Sequence, residues 1–343
     1  MRKEVFGKVV SGIAIASACA GLFAAPVNVQ AAETRSYVLS TATTGGTYYP
    51  VGVAIATLIK VKLQNASKID LSAISSAGST ENIKLLREDQ AQFAIVQGLV
   101  AQFAADGEGP FKADGVQANL RGITPLWFNY DQFVVDRQYA KTGRIGDLAN
   151  LYGQKFSMGA RGSGLETMHK WVLPNLGIDY NKFDLVYQGY GPSAESLQNG
   201  TIAGANFEAG LPTGAATQAM AQAGERLTFL QFNEEDIKKA NGKTNLLSLE
   251  TIPANTYPNQ PEPVQTSALP NFLAVNASVP EDVVYEITKT IFENLPFLNN
   301  IHAATKEISL ERAIKGHPYP LHPGAVRYFK EKGLTIPDHL LPK

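Results

Sequence analysis

From Tyr37 onward the 343-residue chain alternates short runs rich in β-branched residues with longer segments of helical period, and Gly, Ser and Pro punctuate the changes. That alternation constrains the fold most, because strands joined through helical crossovers pair in parallel and are covered on both faces. Ser36–Thr41, Ile69–Ser75 and Phe93–Val96 read as strands, with helices over Tyr48–Leu63 and Ser79–Arg87 between them. In the first helix Val51, Ile55, Leu58, Ile59 and Leu63 fall near one face. Ile123–Phe128 and Gln132–Val135 add two strands. A second cycle begins at Lys155, with strand Phe156–Gly159, helix Leu165–Leu176 and strand Leu185–Gln188. Ala194–Gln198, Ala203–Phe207, Pro212–Ala223 and Leu227–Leu230 continue the alternation. Near the end, Ser278-Val279-Pro280-Glu281 reads as a capping box that opens a helix through Val283, Ile287, Ile291 and Leu295. Between the second cycle and that helix, Pro253, Pro258, Pro261, Pro263 and Pro270 exclude a regular helix or a central strand from Ile252–Pro270, which reads as an ordered connection between lobes.

The residues before this alternation have another purpose. Residues 1–31 carry Arg2, Lys3 and Lys8, then an Ala-rich apolar run over Val9–Ala25, then small residues up to Ala31, the pattern of a secretory signal peptide cleaved before Ala32. Ser11, Gly12, Ser17 and Gly21 dilute the run below what a membrane span needs. Ala16-Ser17-Ala18-Cys19 loosely matches a lipoprotein cleavage box, which makes lipidation at Cys19 the alternative. Export places the mature protein in the periplasm. Cys19 is the only cysteine, so the exported chain can hold neither a disulfide nor a thiolate metal site. With 30 Lys+Arg against 31 Asp+Glu, no charge excess calls for nucleic acid or an acidic membrane as partner. Removal of 1–31 takes away three basic residues and Glu4, moving the formal charge from -1 to -3.

Signatures of common catalytic sites are missing from the sequence. There is no G-x-S-x-G elbow and no H-E-x-x-H, and Gly242-Lys243-Thr244 lacks the upstream Gly of a phosphate loop, so it reads as a solvated turn. His317 and His322 bracket Pro318 and Pro320 without a third clustered ligand, which favours a structural loop over a metal site. No metal or cofactor is expected. Three polar, Gly-rich segments instead fall where a strand passes into a helix: Thr43–Tyr49, Ser75–Asn82 and Gly159–Gly164. Such junctions lie at the carboxyl edge of the strands, where helix N-termini offer unpaired N–H groups to a carboxylate or phosphate. Helix capping alone would also use these residue types, but three segments from two α/β cycles favour an anion held in a cleft. Arg161 could clamp a carboxylate, and Glu208, at the end of the strand Ala203–Phe207, could accept an ammonium or pair with an internal Arg. Tyr48, Tyr49, Trp127, Phe128 and Tyr190 are cleft or core aromatics.

Gly45-Gly46-Thr47-Tyr48-Tyr49-Pro50, Gly78-Ser79-Thr80-Glu81-Asn82 and Val96-Gln97 together resemble the TAXI family, the substrate-binding proteins of tripartite (TRAP) secondary transporters. The resemblance continues in order through Arg161-Gly162-Ser163-Gly164, Gly210-Leu211-Pro212-Thr213, Pro253–Pro258 and His322–Tyr328. It implies an α/β, two-lobed type II periplasmic binding protein fold with a hinge and an interlobe ligand cleft. It also implies a receptor, expected as a monomer, that hands a small carboxylate to a TRAP membrane permease: glutamate, glutamine or 2-oxoglutarate. By the same resemblance Gly46, Thr47 and Tyr48 form the first ligand loop, Ser79 and Asn82 the second, Gln97 the strand end after it, and Ser163 and Gly164 the third. Two positions depart from the family's pattern: Gly98 and Leu99 stand where an acid often follows the position of Gln97, and Glu208 occupies a usually apolar place. The lobes are expected at 32–133 and 134–269, with 270–343 returning to the first. Glu208 favours an amino acid over 2-oxoglutarate. The alternatives are a periplasmic dehydratase or lyase on the same fold, with Glu208 as acid or base, and a ligand-sensing subunit of a signalling receptor.

Overall fold

The structure is a computed structural model that describes residues 33–342. The expected signal peptide, its cleavage site and Cys19 lie outside the described residues. No described helix is long and apolar enough to cross a membrane.

The first cycle forms as its periodicity predicts. Strand β1 (Arg35–Ser40) leads to helix α1 (Tyr48–Leu63), β2 (Ile69–Ile74), α2 (Ser79–Arg87), β3 (Phe93–Gln97) and α3 (Gly98–Asp106). β1 pairs in parallel with both β2 and β3. β3 is buried along its whole length, which is why its sequence runs Phe-Ala-Ile-Val without a polar alternation. The long strand β4 (Leu120–Tyr130) then ends the first excursion, and β5 (Phe133–Asp136) already belongs to another sheet.

The second cycle runs through β6 (Lys155–Ser157), α4 (Gly164–Asn175), β7 (Asp184–Val186), α5 (Tyr190–Gln198), β8 (Gly204–Asn206), α6 (Gly214–Ala223) and β9 (Leu227–Phe229). These strands lie in the order β7-β6-β8-β5-β9, with β5 antiparallel to both neighbours. Helix α7 (Glu234–Asn241) opens with three acids and a capping box between Asn233 and Asp236, where negative charge complements the helix dipole. The chain then re-enters the first sheet with β10 (Ser248–Ile252) and β11 (Val264–Asn276), and closes with α8 (Glu281–Glu293), α9 (Leu295–Ile301) and α10 (Pro323–Glu331). Val283, Ile287 and Ile291 of α8 bury against Ile55 and Ile59 of α1 in one core, while Phe133, Phe156 and Val172 belong to a separate one.

Three expectations need correction. Pro270 sits inside β11, which is a central strand bonded to β10, β3 and β4. The missing N–H is absorbed by a register shift against β4 between Pro270 and Phe272, a bulge of the kind that tolerates proline. The return to the first sheet therefore falls between Phe229 and Ser248, across α7, and β10 joins the first sheet although it lies within 134–269. Ser278 does not cap α8: the helix begins after Pro280, whose extended backbone holds the N-cap position without a side-chain bond.

Candidate functional site

The three junction segments meet. A cavity holding about 480 Å³ of space, its open mouth included, is lined by Thr43, Gly46, Thr47 and Tyr48 from the first segment and Ala77, Gly78 and Ser79 from the second. Ala160, Ser163 and Gly164 come from the third. Gln97, Asn129, Tyr190, Glu208 and Ala209, with the apolar Ala42 and Leu165, complete the wall. The starts of α1, α2, α4 and α5 all reach it, and their first-turn N–H groups have no intrahelical acceptor. Four such ends around one cavity make a site suited to negative charge.

Close approach between the two halves demands glycine here. A Cβ on Gly46 would lie 3.1 Å from the Tyr190 ring, and one on Gly164 would lie 3.0 Å from Ser79 Oγ. Gly78, at φ 127°, turns the chain into α2 in a conformation that side-chain-bearing residues rarely adopt. Hydrogen bonds join the halves around the cavity. Thr47 Oγ1 donates to the Gly210 carbonyl at 2.9 Å, and the Thr80 and Thr167 hydroxyls meet at 2.9 Å. The Glu81 N–H donates to the Gly162 carbonyl at 2.9 Å.

Glu208 is the chemical centre of the wall. It is 5% exposed. Its carboxyl accepts Gln97 Nε2 at 2.5 Å and Asn129 Nδ2 at 3.1 Å. The internal-Arg reading does not hold: no Arg or Lys pairs with it among the described residues, and two amides hold it instead. Burial, followed by the nearby Asp131, pushes its carboxyl well above the usual carboxylate range, and the amide bonds only partly oppose this. Asn129 Nδ2 also donates to the Tyr48 hydroxyl at 2.9 Å, and Asn271 Nδ2 donates to Asn129 Oδ1 at 3.0 Å. Burial raises the Tyr48 and Tyr190 phenols well above their ordinary value, so both are neutral donors. Tyr190 Oη donates to the Glu208 carbonyl at 2.7 Å. Gln97 Oε1 is buried and has no partner.

The sequence-derived residues divide. Gly46, Thr47, Tyr48, Ser79, Gln97, Ser163, Gly164 and Glu208 are brought to one cavity. Ser163 also caps α4, its Oγ accepting the Glu166 N–H at 3.0 Å. Asn82 is not in the wall. It is fully buried, donating Nδ2 to the carbonyls of Thr41 at 2.6 Å and Ile95 at 2.9 Å while Oδ1 accepts Ser76 Oγ at 2.7 Å, so it ties together the strand ends beneath the cavity. Arg161 is exposed, with its guanidinium 3.7 Å from the Tyr187 ring centre, and does not line the cavity. A cationic clamp has no place there because the side chain stacks outward on an aromatic face. His322 caps α10 and His317 is buried against Phe272, as a structural loop requires. Among the described residues no group of three or more His, Cys, Asp or Glu could hold a metal. Asn129 was missed; its one signal is a polar residue directly after the apolar run Leu126-Trp127-Phe128 near the end of β4.

Two solved structures are similar to this one at low identity. MatC from Rhodopseudomonas palustris with bound malate is 12% identical, with 87% of this chain and 96% of that one covered at a TM-score of 0.53. The alkanesulfonate-binding protein SsuA from Xanthomonas axonopodis pv. citri, bound to MOPS, is 12% identical over 91% of this chain and 96% of that one, at a TM-score of 0.45. The architecture is the mixed α/β fold of periplasmic binding proteins, as the two sheets and the likeness to MatC show. A family model described as the NMT1-like family matches residues 39–333, most of the chain, and the protein belongs to that family.

Proposed function

We propose that this protein is an extracytoplasmic solute receptor that captures a small carboxylate in the Glu208 cavity and delivers it to a membrane permease. The convergence of four helix starts on one buried, polar cavity carries this reading. Free N–H groups and the Ser79 and Thr47 region take the carboxylate, and Glu208 with Gln97 Oε1 takes an ammonium, which favours glutamine or glutamate over 2-oxoglutarate. A dianionic keto acid brings no group to pair with Glu208. The motifs around Gly46, Ser79 and Ser163 support the TAXI type of receptor and hence a TRAP permease as the partner, and residues 1–31 support export to the periplasm. The lobes are 33–131 with 245–342, and 132–244, following the sheet to which each strand belongs. Calorimetry on the mature protein with L-glutamine, L-glutamate and 2-oxoglutarate tests the assignment. Binding of at least one amino acid, recovered unchanged, is expected. Absence of heat with all three, or turnover of the recovered ligand, overturns it.

A further inference from the structure

The register that pairs Tyr130 with Ala209 and Phe133 with Asn206 sets Asp131 directly opposite Glu208 on neighbouring strands. Directly opposed side chains lie within a few ångströms and share a face, and like charges there repel. Both acids are buried, at 1% and 5% exposure. Every bonded neighbour of the pair is a neutral group. Asp131 accepts Asn206 Nδ2 at 2.6 Å and the Ser267 hydroxyl, and Glu208 accepts the amides of Gln97 and Asn129. The titratable groups facing the pair from adjoining elements are Tyr48 on α1, Tyr190 on α5 and His169 on α4, the last meeting Asn206 through Nε2 at 3.3 Å. Burial keeps the two phenols protonated and drives His169 down to about 3, so it too is uncharged. No Lys or Arg acts on either acid among the described residues.

Two opposed carboxylates cannot both remain ionised in such surroundings without a cation. An ammonium ligand would supply one. Two further observations show unmet acceptors for it. A carboxylate offers about four acceptor positions, of which the amides take two at Glu208. Gln97 Oε1, in the same wall, is buried without a donor.

We propose that the Asp131–Glu208 pair holds a proton in the empty receptor and surrenders it to solvent when an ammonium-bearing ligand enters, so that capture exchanges one proton for one cationic group. The carboxyl O–H bond breaks, the proton passes to buffer, and the ammonium donates to the Glu208 carboxylate and to Gln97 Oε1. This deepens the receptor reading and rests on it. The exchange makes the site selective for the ammonium itself and makes affinity rise with pH, because release of a proton is favoured as protons become scarce.

Calorimetry with L-glutamine and L-glutamate at neutral pH, in phosphate and in Tris, counts the protons from the difference in heat. About one proton released per amino acid is expected, with affinity rising by up to tenfold per pH unit as long as the pH lies below the range in which the empty pair titrates. In Glu208→Gln the release should vanish. Should that variant not fold, the pH slope of the wild type carries the same information. Amino-acid binding with equal heats in both buffers and a flat pH profile overturns the exchange while leaving the receptor reading intact. Binding of 2-oxoglutarate with no binding of either amino acid overturns the exchange and the amino-acid preference together.

Discussion

Gly164→Ala should weaken ligand capture without weakening the fold. Gly164 is the first residue of α4 and has no positive φ, so alanine costs the backbone nothing there and slightly favours the helix. The new methyl would lie 3.0 Å from Ser79 Oγ, 3.1 Å from Ser79 Cβ and 3.5 Å from Gln97 Cβ, across the cavity from its own helix. Ser79 cannot simply swing away, because its Oγ accepts the Gln97 N–H at 2.9 Å. Relief must come from parting the two halves by a few tenths of an ångström. Overpacking of this kind costs about 1–3 kcal/mol. If closure is required for tight binding, that cost appears as a roughly 5- to 150-fold rise in Kd. Calorimetry gives the affinity, thermal unfolding without ligand gives the stability, and small-angle scattering gives the change in dimensions on ligand addition. Wild-type affinity in Gly164→Ala would show that this contact does not limit closure, as would a fall in unliganded stability equal to the loss in binding.

Other substitutions separate the cavity from its supports. Asn82→Ala should cost about 2–3 kcal/mol of stability in denaturant titration, since it orphans the Thr41 and Ile95 carbonyls, whereas wild-type stability would refute its bracing role. Arg161→Ala should leave Kd within about two-fold, because the guanidinium stacks on Tyr187 outside the cavity and exposed charges contribute little; a tenfold loss would restore it as a ligand clamp. His317 is buried, both ring nitrogens are unpartnered, and burial drives it down to about 3. Its neutral form in the fold therefore contributes stability above the unfolded value near 6.5, and that contribution is lost as pH falls toward 3. The stability of His317→Leu relative to wild type should accordingly improve by up to about 1.4 kcal/mol per pH unit below 6.5, and a pH-independent difference would refute the assignment.

Local chemistry made much of the fold legible. The first cycle and the junction loops follow from hydrophobic period and from Gly and Ser at strand ends, and the family resemblance named side chains within and beside those loops, so that eight of the ten named residues meet at one cavity. Long-range pairing was not legible. Pro270 forbids a ladder bond at its own nitrogen, but a shift of register against β4 removes the conflict, and nothing local to Ile252–Pro270 encodes that shift. Asn82 and Arg161 stand in the right segments and point elsewhere, because a motif fixes the backbone and the tertiary contacts choose the direction of each side chain. The opposition of Asp131 and Glu208 depends on a register between strands 77 residues apart, beyond the reach of any spacing rule.

Capture of a small amino-bearing carboxylate is open to a direct test by native mass spectrometry of the mature protein, purified from the periplasm without refolding and then denatured to release what it carries. A single bound small molecule bearing a carboxylate and an amino group is expected, depleted in Gly164→Ala. Protein that emerges empty and gains no thermal stability from glutamine, glutamate or 2-oxoglutarate, or that carries a larger ligand without a carboxylate, would contradict it.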